Sequence, residues 1–276
     1  MNQDERLNYL VENFREENAQ YRDVPIPADP EGKRQILRSL MNIRMPKVLP
    51  PSVLTAQDEY LQERIRENGV VQIADIPTIR ECGSTHPCGD RISIWQGDIT
   101  RLAADAIVNA ANAQMLGCFI PMHSCIDNQI HTLAGVQLRA ECARQMRELR
   151  AEHGMEYEQP TGVPMLTDGY NLPAKKIIHV VGPMVFEKLT EKEEDELALC
   201  YRNVLDLCLE NNLKTVVFCC LSTGVFRFPG QRASEIAVET VTDWLKEHPG
   251  TVERVVFNVF RDEDKEYYEQ RLLQTA

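Results

Sequence analysis

The first eighty residues carry apolar positions at helical spacing. Leucine, valine and phenylalanine recur three or four residues apart at Leu7, Leu10, Val11 and Phe14. This spacing predicts an amphipathic helix over residues 4–20. Two further helices are expected at residues 31–42 and 55–67, with prolines between the three segments. Residues 1–80 are therefore expected to form a small helical extension without visible chemistry of its own.

From residue 91 onward, short apolar runs alternate with longer segments of helical periodicity. Strands are expected near residues 92–95, 106–108, 163–167, 176–181, 216–221 and 255–260. Helices are expected at residues 127–152 and 231–247. A further helix is expected to begin at a capping box formed by Thr190 and Glu193, and a last one to begin at Asp262. This alternation predicts a three-layer α/β/α domain over residues 81–276.

The charge of the chain narrows the classes of partner. The formal net charge is -12 at pH 7. Because a nucleic-acid-binding domain normally presents a basic face, general binding to DNA or RNA is disfavoured. An anionic ligand would have to be held by backbone N–H groups and helix N-termini. No signal peptide and no apolar run of membrane-spanning length is visible, so no association with a membrane is expected.

The cysteines indicate a reducing compartment. Their number, nine, is odd, and they are scattered, so a disulfide framework is not expected and a cytoplasmic location fits. Cys118, His123 and Cys125 lie within eight residues. Three such ligands with an open fourth position are typical of catalytic zinc. The alternatives are small buried cysteines, or a structural zinc with His131 or Cys142 as the fourth ligand.

A second cluster has the same order of ligand types. Cys82, His86 and Cys88 lie in the connection before the α/β domain. Spacing alone does not decide between the two clusters.

Three loops follow predicted strands, where ligands of open α/β sheets usually bind. Asp98 can accept a hydrogen bond from an exocyclic amine such as that of adenine, although a turn or helix cap uses the same residue type. The asparagines of residues 109–112 suit sugar hydroxyls. Small residues in the loop 221–230 allow backbone N–H groups to face a diphosphate, and Phe226 and Phe228 can cover a sugar or base. A plain connecting loop is the alternative.

Taken in order, these segments resemble the macrodomain family. The similarity lies in residues 97–100, 105–112, 126–135, 169–183 and 222–229. It implies a three-layer α/β/α macrodomain with a mixed, mostly parallel sheet, preceded by a small helical N-terminal extension.

Residues 118–125 depart from the family pattern. They replace a run of glycines that the hydrolytic branch usually has before a Val-Asp pair, which Ile126 and Asp127 match here. This departure resembles the zinc-dependent bacterial subfamily, which also has an N-terminal helical extension. The resemblance therefore favours Cys118, His123 and Cys125 as ligands of one Zn2+ per chain. Arg227 is a milder departure, because relatives often have glycine there.

The resemblance also implies roles for individual residues. Asp98 and Ile99 would hold adenine. Asp127 matches the catalytic aspartate of the hydrolytic branch, and Asn112 would act beside it by contacting the distal ribose. The remaining contacts with ADP-ribose would come from Ile126, Asn128, Ser222, Thr223, Gly224, Val225, Phe226 and Phe228.

The reaction implied is hydrolysis at the anomeric carbon of the distal ribose. It would release ADP-ribose from a modified protein side chain, with an ester to Asp or Glu as the expected linkage. By the same resemblance, the partners would be a sirtuin-type ADP-ribosyltransferase and the lipoyl-carrier protein that it modifies. Two alternatives stay open: a non-catalytic reader of ADP-ribose, and a deacylase acting on O-acyl-ADP-ribose.

Overall fold

A computed structural model describes residues 1–273, which contain eight α-helices and eight strands. The helices are α1 (Gln3–Glu16), α2 (Pro30–Ile43), α3 (Pro51–Asn68), α4 (Ile126–Ala134), α5 (Val136–His153), α6 (Glu191–Glu210), α7 (Gly230–Glu247) and α8 (Asp262–Leu272). The strands are β1 (Val71–Gln72), β2 (Ile92–Gln96), β3 (Leu102–Ala103), β4 (Ala106–Ala111), β5 (Met165–Asp168), β6 (Lys176–Val181), β7 (Thr215–Phe218) and β8 (Arg254–Val259). No helix among them is both long and apolar enough to cross a membrane.

Contacts divide the chain into two compact units. The first comprises Met1–Gly69, Gln114–Tyr157 and Gly169–Leu172. The second comprises Val70–Ala113, Glu158–Asp168 and the described residues from Pro173 onward. The boundary expected near residue 80 stays a prediction.

The first unit is helical. Its apolar side chains form a core from α1, α2, α3 and Val136 of α5. The N-terminus of α2 is set by Asp29, whose side chain accepts a hydrogen bond from the Gly32 N–H, and by Pro30 in the first turn. The expected N-terminal helices are therefore confirmed, with α1 ending at Glu16 rather than at residue 20.

The single helix expected at residues 127–152 is wrong, because Gly135 divides it into α4 and α5. Gly135 has φ +100°, which side chains other than glycine rarely adopt. A Cβ there would also lie within 3.0 Å of the side chains of Gln57, Gln137 and Asn171. The apolar periodicity continues across the break, so it does not reveal the change of direction.

The second unit contains a six-stranded sheet of order β2-β8-β7-β4-β6-β5. Every neighbouring pair is parallel except β5 and β6, so the expected mixed, mostly parallel sheet is confirmed. The apolar run that begins at Val216 lies in the sheet interior, as expected, although β7 ends at Phe218 rather than at residue 221. β1 and β3 form a separate parallel pair.

The expected capping box at the start of α6 is present. The Thr190 N–H donates to the Glu193 side chain, and Thr190 is the N-cap residue. This motif shows that a local signal of side-chain and backbone chemistry located a helix end correctly.

Candidate functional site

The side chains of Cys118, His123 and Cys125 converge in the first unit. Their possible ligand atoms all lie within 4.8 Å of one another. Cys118 Sγ is 3.6 Å from His123 Nδ1. These separations suit three ligands around one Zn2+, which binds sulfur and nitrogen at roughly 2.0–2.3 Å. The loop that carries them, residues 117–125, is called the Cys loop below.

The surroundings of Cys125 disfavour the deprotonated form of its thiol when no metal ion is bound. Burial is the largest cause that raises the pKa of this thiol to about 12, and the nearby Cys118 and Asp127 act in the same direction. The backbone N–H of Asn128 opposes this by donating to Cys125 Sγ at 3.4 Å. Because a coordinated thiol loses its proton to the field of a metal cation, the donor set fits a bound divalent ion.

The rival cluster does not form a comparable group. His86 Nδ1 accepts a hydrogen bond from the Cys88 N–H at 3.2 Å. The Cys88 thiol faces the Thr242 carbonyl oxygen at 3.8 Å, whereas Cys82 is exposed. These contacts use the imidazole and one thiol for packing and hydrogen bonding, and they do not bring three ligand atoms together.

Asp127 lies in the first turn of α4 and is only 5% exposed. The helix N-terminus favours its negative charge. Its Oδ1 is 3.5 Å from His131 Nε2. The His131 ring packs against Gly117, where a Cβ would lie 2.8 Å from the ring and where φ is +79°. The expected catalytic carboxylate is therefore buried next to a closely packed histidine.

Asn128, expected to contact ADP-ribose, is fully buried and is used within the protein. Its side-chain N–H donates to the Ile120 carbonyl oxygen at 2.9 Å, and its Oδ1 accepts from Arg38 at 2.8 Å. Ile126, the preceding predicted contact, is half-buried at the start of α4.

In the second unit, the predicted ligand residues follow the carboxyl ends of parallel strands. Asp98 follows β2, Asn112 follows β4, and Ser222 follows β7. Because β2, β4 and β7 run parallel within one sheet, these residues share one edge of it. This is the edge at which open α/β sheets bind ligands.

Asp98 uses one carboxylate oxygen as a cap. Its Oδ1 accepts from the Thr100 N–H at 2.9 Å and from the Thr100 hydroxyl at 2.6 Å. Neither of these bonds uses Oδ2. Asp98 can therefore cap the turn through Oδ1 and accept a hydrogen bond from a ligand amine through Oδ2. Ile99, the second expected adenine contact, is buried.

The two asparagines of residues 109–112 differ in their surroundings. Asn109 is buried within β4, and its Nδ2 lies 3.0 Å from His179 Nδ1. Asn112 lies just beyond the strand and is partly exposed. Burial lowers the pKa of His179 to about 3, so this histidine stays neutral within the sheet. Asn109 is therefore buried within the sheet, whereas Asn112 is the more exposed of the two asparagines.

The loop after β7 contains a buried polar atom without a partner. Ser222 is 6% exposed, and its Oγ makes no hydrogen bond among the described residues. Its φ is +65°, and a Cβ at Gly182 would collide with its Oγ. Such an atom is costly unless a ligand or water satisfies it. The loop therefore has a built position for a polar ligand group.

The aromatic residues of this loop lie in different environments. Phe226 is half-buried, and its carbonyl oxygen accepts from the Val185 N–H at 2.9 Å. Phe228 is 2% exposed, so its ring packs in the interior. Val225 and Gly224 are exposed, and Thr223 is half-buried.

Sequence reasoning missed an exposed aromatic ring at the same sheet edge. Phe260 follows β8 and is 75% exposed, and its carbonyl oxygen accepts from Gln96 at 3.3 Å. Its position as the last residue of the strand predicted at 255–260 was the available signal. The side chains that hold the Cys loop were also missed, because nothing in the sequence marks their distant partners.

The mixed six-stranded sheet, its loops at the carboxyl edge and the preceding helices define the class of the protein as a macrodomain. A family model described as Macro domain matches residues 108–237. The chain belongs to the macrodomain family.

Three similar proteins extend this assignment. The chain is 46% identical over 268 residues to "Protein-ADP-ribose hydrolase" of Treponema medium, covering 97% of this chain and 98% of that protein. It is 39% identical to "Probable bifunctional ADP-ribose hydrolase/ADP-ribosyltransferase" of Fusarium oxysporum, covering 87% of this chain and 41% of that protein. A solved Trypanosoma brucei macrodomain in complex with ADP-ribose is similar with a TM-score of 0.64 and 28% identity, covering 89% of this chain and 96% of that one.

Proposed function

We propose that this protein is a zinc-dependent hydrolase that removes ADP-ribose from mono-ADP-ribosylated protein side chains. One observation carries the proposal: three zinc-type donors converge in the loop that leads directly into the helix bearing the buried Asp127. The hydrolase names of two relatives support the reaction class. The ADP-ribose complex of a solved relative supports the ligand.

Cys118, His123 and Cys125 would hold the zinc ion. When bound, zinc supplies Lewis acidity that favours an anionic oxygen. The orphaned Ser222 hydroxyl and the backbone of residues 222–226 would bind the diphosphate, and Asp98 would bind the adenine amine.

Asp127 would take the part of the general base. A water molecule adds to the anomeric carbon of the distal ribose and gives a proton to the Asp127 carboxylate. The bond from that carbon to the side-chain oxygen breaks, and the electron pair leaves with the oxygen. Ordinary glycosidases flank this carbon with two carboxylates. An ester substrate requires only one here, because its leaving group is already a stable carboxylate.

The test is mass spectrometry of a mono-ADP-ribosylated protein before and after incubation with the enzyme. We expect loss of the ADP-ribose mass with the untreated enzyme, and its retention after chelator treatment or with Asp127→Asn. Binding of the modified protein without release would identify a reader. Release of the acyl group from O-acyl-ADP-ribose, with the modified protein left intact, would identify a deacylase.

The substrate-side partners are also a proposal. One relative is named a probable bifunctional ADP-ribose hydrolase/ADP-ribosyltransferase. This name supports a pairing with an ADP-ribosyltransferase, and the sirtuin type is proposed from the family resemblance alone. A lipoyl-carrier protein is the first modified substrate to offer in the assay.

A further inference from the structure

Two polar side chains of α2 contact the backbone of the Cys loop, 80 and 85 residues away in sequence. Arg38 donates to the His123 carbonyl oxygen at 2.8 Å. Asn42 accepts a hydrogen bond from the Met122 N–H at 3.0 Å. Asn42 is buried and Arg38 is partly buried, so these contacts are part of the packed structure.

The backbone that they contact is a strained turn. The His123 N–H donates to the Ile120 carbonyl oxygen at 3.2 Å, which closes a four-residue turn with Pro121 in its second position. Met122, in the third position, has φ +58°. A turn with proline second and a positive φ third usually has glycine or asparagine there. Methionine makes this conformation less favourable, so a bond to its N–H helps to hold the turn.

Arg38 reaches a second ligand through Asn128. Its guanidinium donates to Asn128 Oδ1 at 2.8 and 3.3 Å. Asn128 in turn donates from its side chain to the Ile120 carbonyl oxygen, and from its backbone to Cys125 Sγ. A single arginine is therefore connected to the backbone of His123 and, through one residue, to the sulfur of Cys125.

We infer that α2 positions the ligands of the metal centre, with Arg38 and Asn42 as positioning residues for His123 and Cys125. This inference rests on the zinc site proposed above. Residues that orient ligands through hydrogen bonds typically change metal affinity by about 10–100-fold when they are replaced. The N-terminal helix α2 would then contribute to metal binding, because it holds the Cys loop in the geometry that binds the ion.

The first test compares Arg38→Met with Arg34→Met. Arg34 lies one turn earlier on α2 and donates to the exposed Glu31, so it is a matched control for loss of an arginine from this helix. Zinc affinity is measured on the full-length protein by competition with a chromophoric chelator. We expect Arg38→Met to bind zinc about 10–100-fold more weakly than wild type, and Arg34→Met to bind like wild type. Equal affinities of Arg38→Met and wild type, or equal losses in both variants, would overturn the inference.

A spectroscopic measurement separates positioning from general loss of stability. The proteins are saturated with Co2+, and the thiolate-to-metal absorption bands are recorded. We expect altered bands for Arg38→Met and unaltered bands for Arg34→Met. Identical spectra in the two variants would show that Arg38 does not affect ligand geometry.

Two further variants keep the inference testable if Arg38→Met does not fold. Arg38→Lys retains the positive charge but not the fork that reaches two acceptors at once, so an intermediate zinc affinity is expected. Asn42→Ser shortens the acceptor for the Met122 N–H and is also expected to weaken binding. Wild-type zinc affinity in both would contradict the inference. A wild-type protein that binds no zinc would instead contradict the proposed function.

Discussion

At the scale of single residues, the loop after β7 contains a strained backbone conformation. Arg227 in this loop has φ +60°. The left-handed conformation costs about 1–2 kcal/mol for residues with a Cβ. A glycine at this position would avoid that cost, whereas this chain has a strained arginine there.

Arg227→Gly is expected to be more stable than Arg227→Ala by about 1 kcal/mol, because only glycine adopts this φ at little steric cost. Both substitutions remove the exposed side chain, so the pair isolates the backbone effect. Urea unfolding of the two variants gives the comparison. Equal free energies of unfolding would mean that the loop relaxes to another conformation when the side chain is absent.

The two oxygens of Asp98 allow capping and ligand recognition to be separated. Asp98→Asn retains an oxygen for Thr100 but replaces the other acceptor with a donor, whereas Asp98→Ala loses both. Both variants are expected to bind ADP-ribose roughly 5- to 150-fold more weakly, which corresponds to about 1–3 kcal/mol. Only the alanine variant should also be less stable.

Isothermal titration calorimetry measures the affinities, and thermal unfolding measures the stabilities. Wild-type affinity in Asp98→Asn would exclude an adenine contact through Asp98. A stability loss shared by both variants would show that the cap requires the charged carboxylate.

At the scale of elements, local chemical signals predicted positions better than periodicity did. The capping box at Thr190 and Glu193 located the start of α6. The division of α4 from α5 at Gly135 was missed, because the apolar pattern of the two helices is continuous and the cause is packing against Gln57 and Asn171. Arg38 was missed for a similar reason, since its partners are distant in sequence.

The choice between the two Cys/His clusters also belongs to this scale. Purified protein is expected to carry one zinc per chain. Cys125→Ala should lose most of it, because a three-ligand site with one thiolate removed binds weakly. Cys82→Ala and Cys88→Ala should retain it, since their cluster does not converge.

Metal analysis by plasma mass spectrometry after dialysis measures the content of each variant. Loss of zinc from the Cys82 and Cys88 variants, with retention in Cys125→Ala, would place the ion in the other cluster. Full zinc content in all three would mean that neither thiol is a ligand.

At the scale of the whole molecule, the fold class and the strand-end loops could be predicted from the sequence. The strands are marked by apolar runs, and parallel strands place their carboxyl ends at one edge, so Asp98, Asn112 and Ser222 share that edge. The orphaned Ser222 hydroxyl and the burial of Phe228 could not be predicted, because both depend on the side chains that surround them.

The net charge of -12 limits how the whole molecule can bind an anionic ligand. If the proposed ligand is a diphosphate, a chain without a surplus of cations has to bind it with dipoles, and the loop after β7 offers backbone groups and the Ser222 hydroxyl. Arg38, which is partly buried, donates to the Cys loop, and Arg139, which is buried, donates to the carbonyl oxygens of Leu116 and Arg44. These two cations therefore stabilise the fold of the first unit.

The last prediction concerns the linkage that is cut. We expect ADP-ribose esterified to Glu to be released far faster than ADP-ribose linked to Arg. A carboxylate leaving group has a pKa near ~4, so it departs at pH 7 without protonation. A guanidine leaving group requires a general acid. The proposed mechanism places one carboxylate, Asp127, at the reacting carbon, and His131 beside it is packed against Gly117.

The measurement is the rate of ADP-ribose release from matched Glu-linked and Arg-linked peptides, followed by chromatography. His131→Gln is the informative variant, because it removes the imidazole whose Nε2 lies 3.5 Å from Asp127 Oδ1 and which could donate a proton to a departing nitrogen. We expect it to leave the ratio of the two rates strongly in favour of the ester. Comparable rates on both linkages in the wild type would contradict the leaving-group explanation. If His131→Gln then slowed only the release from the Arg-linked peptide, His131 would be identified as a general acid.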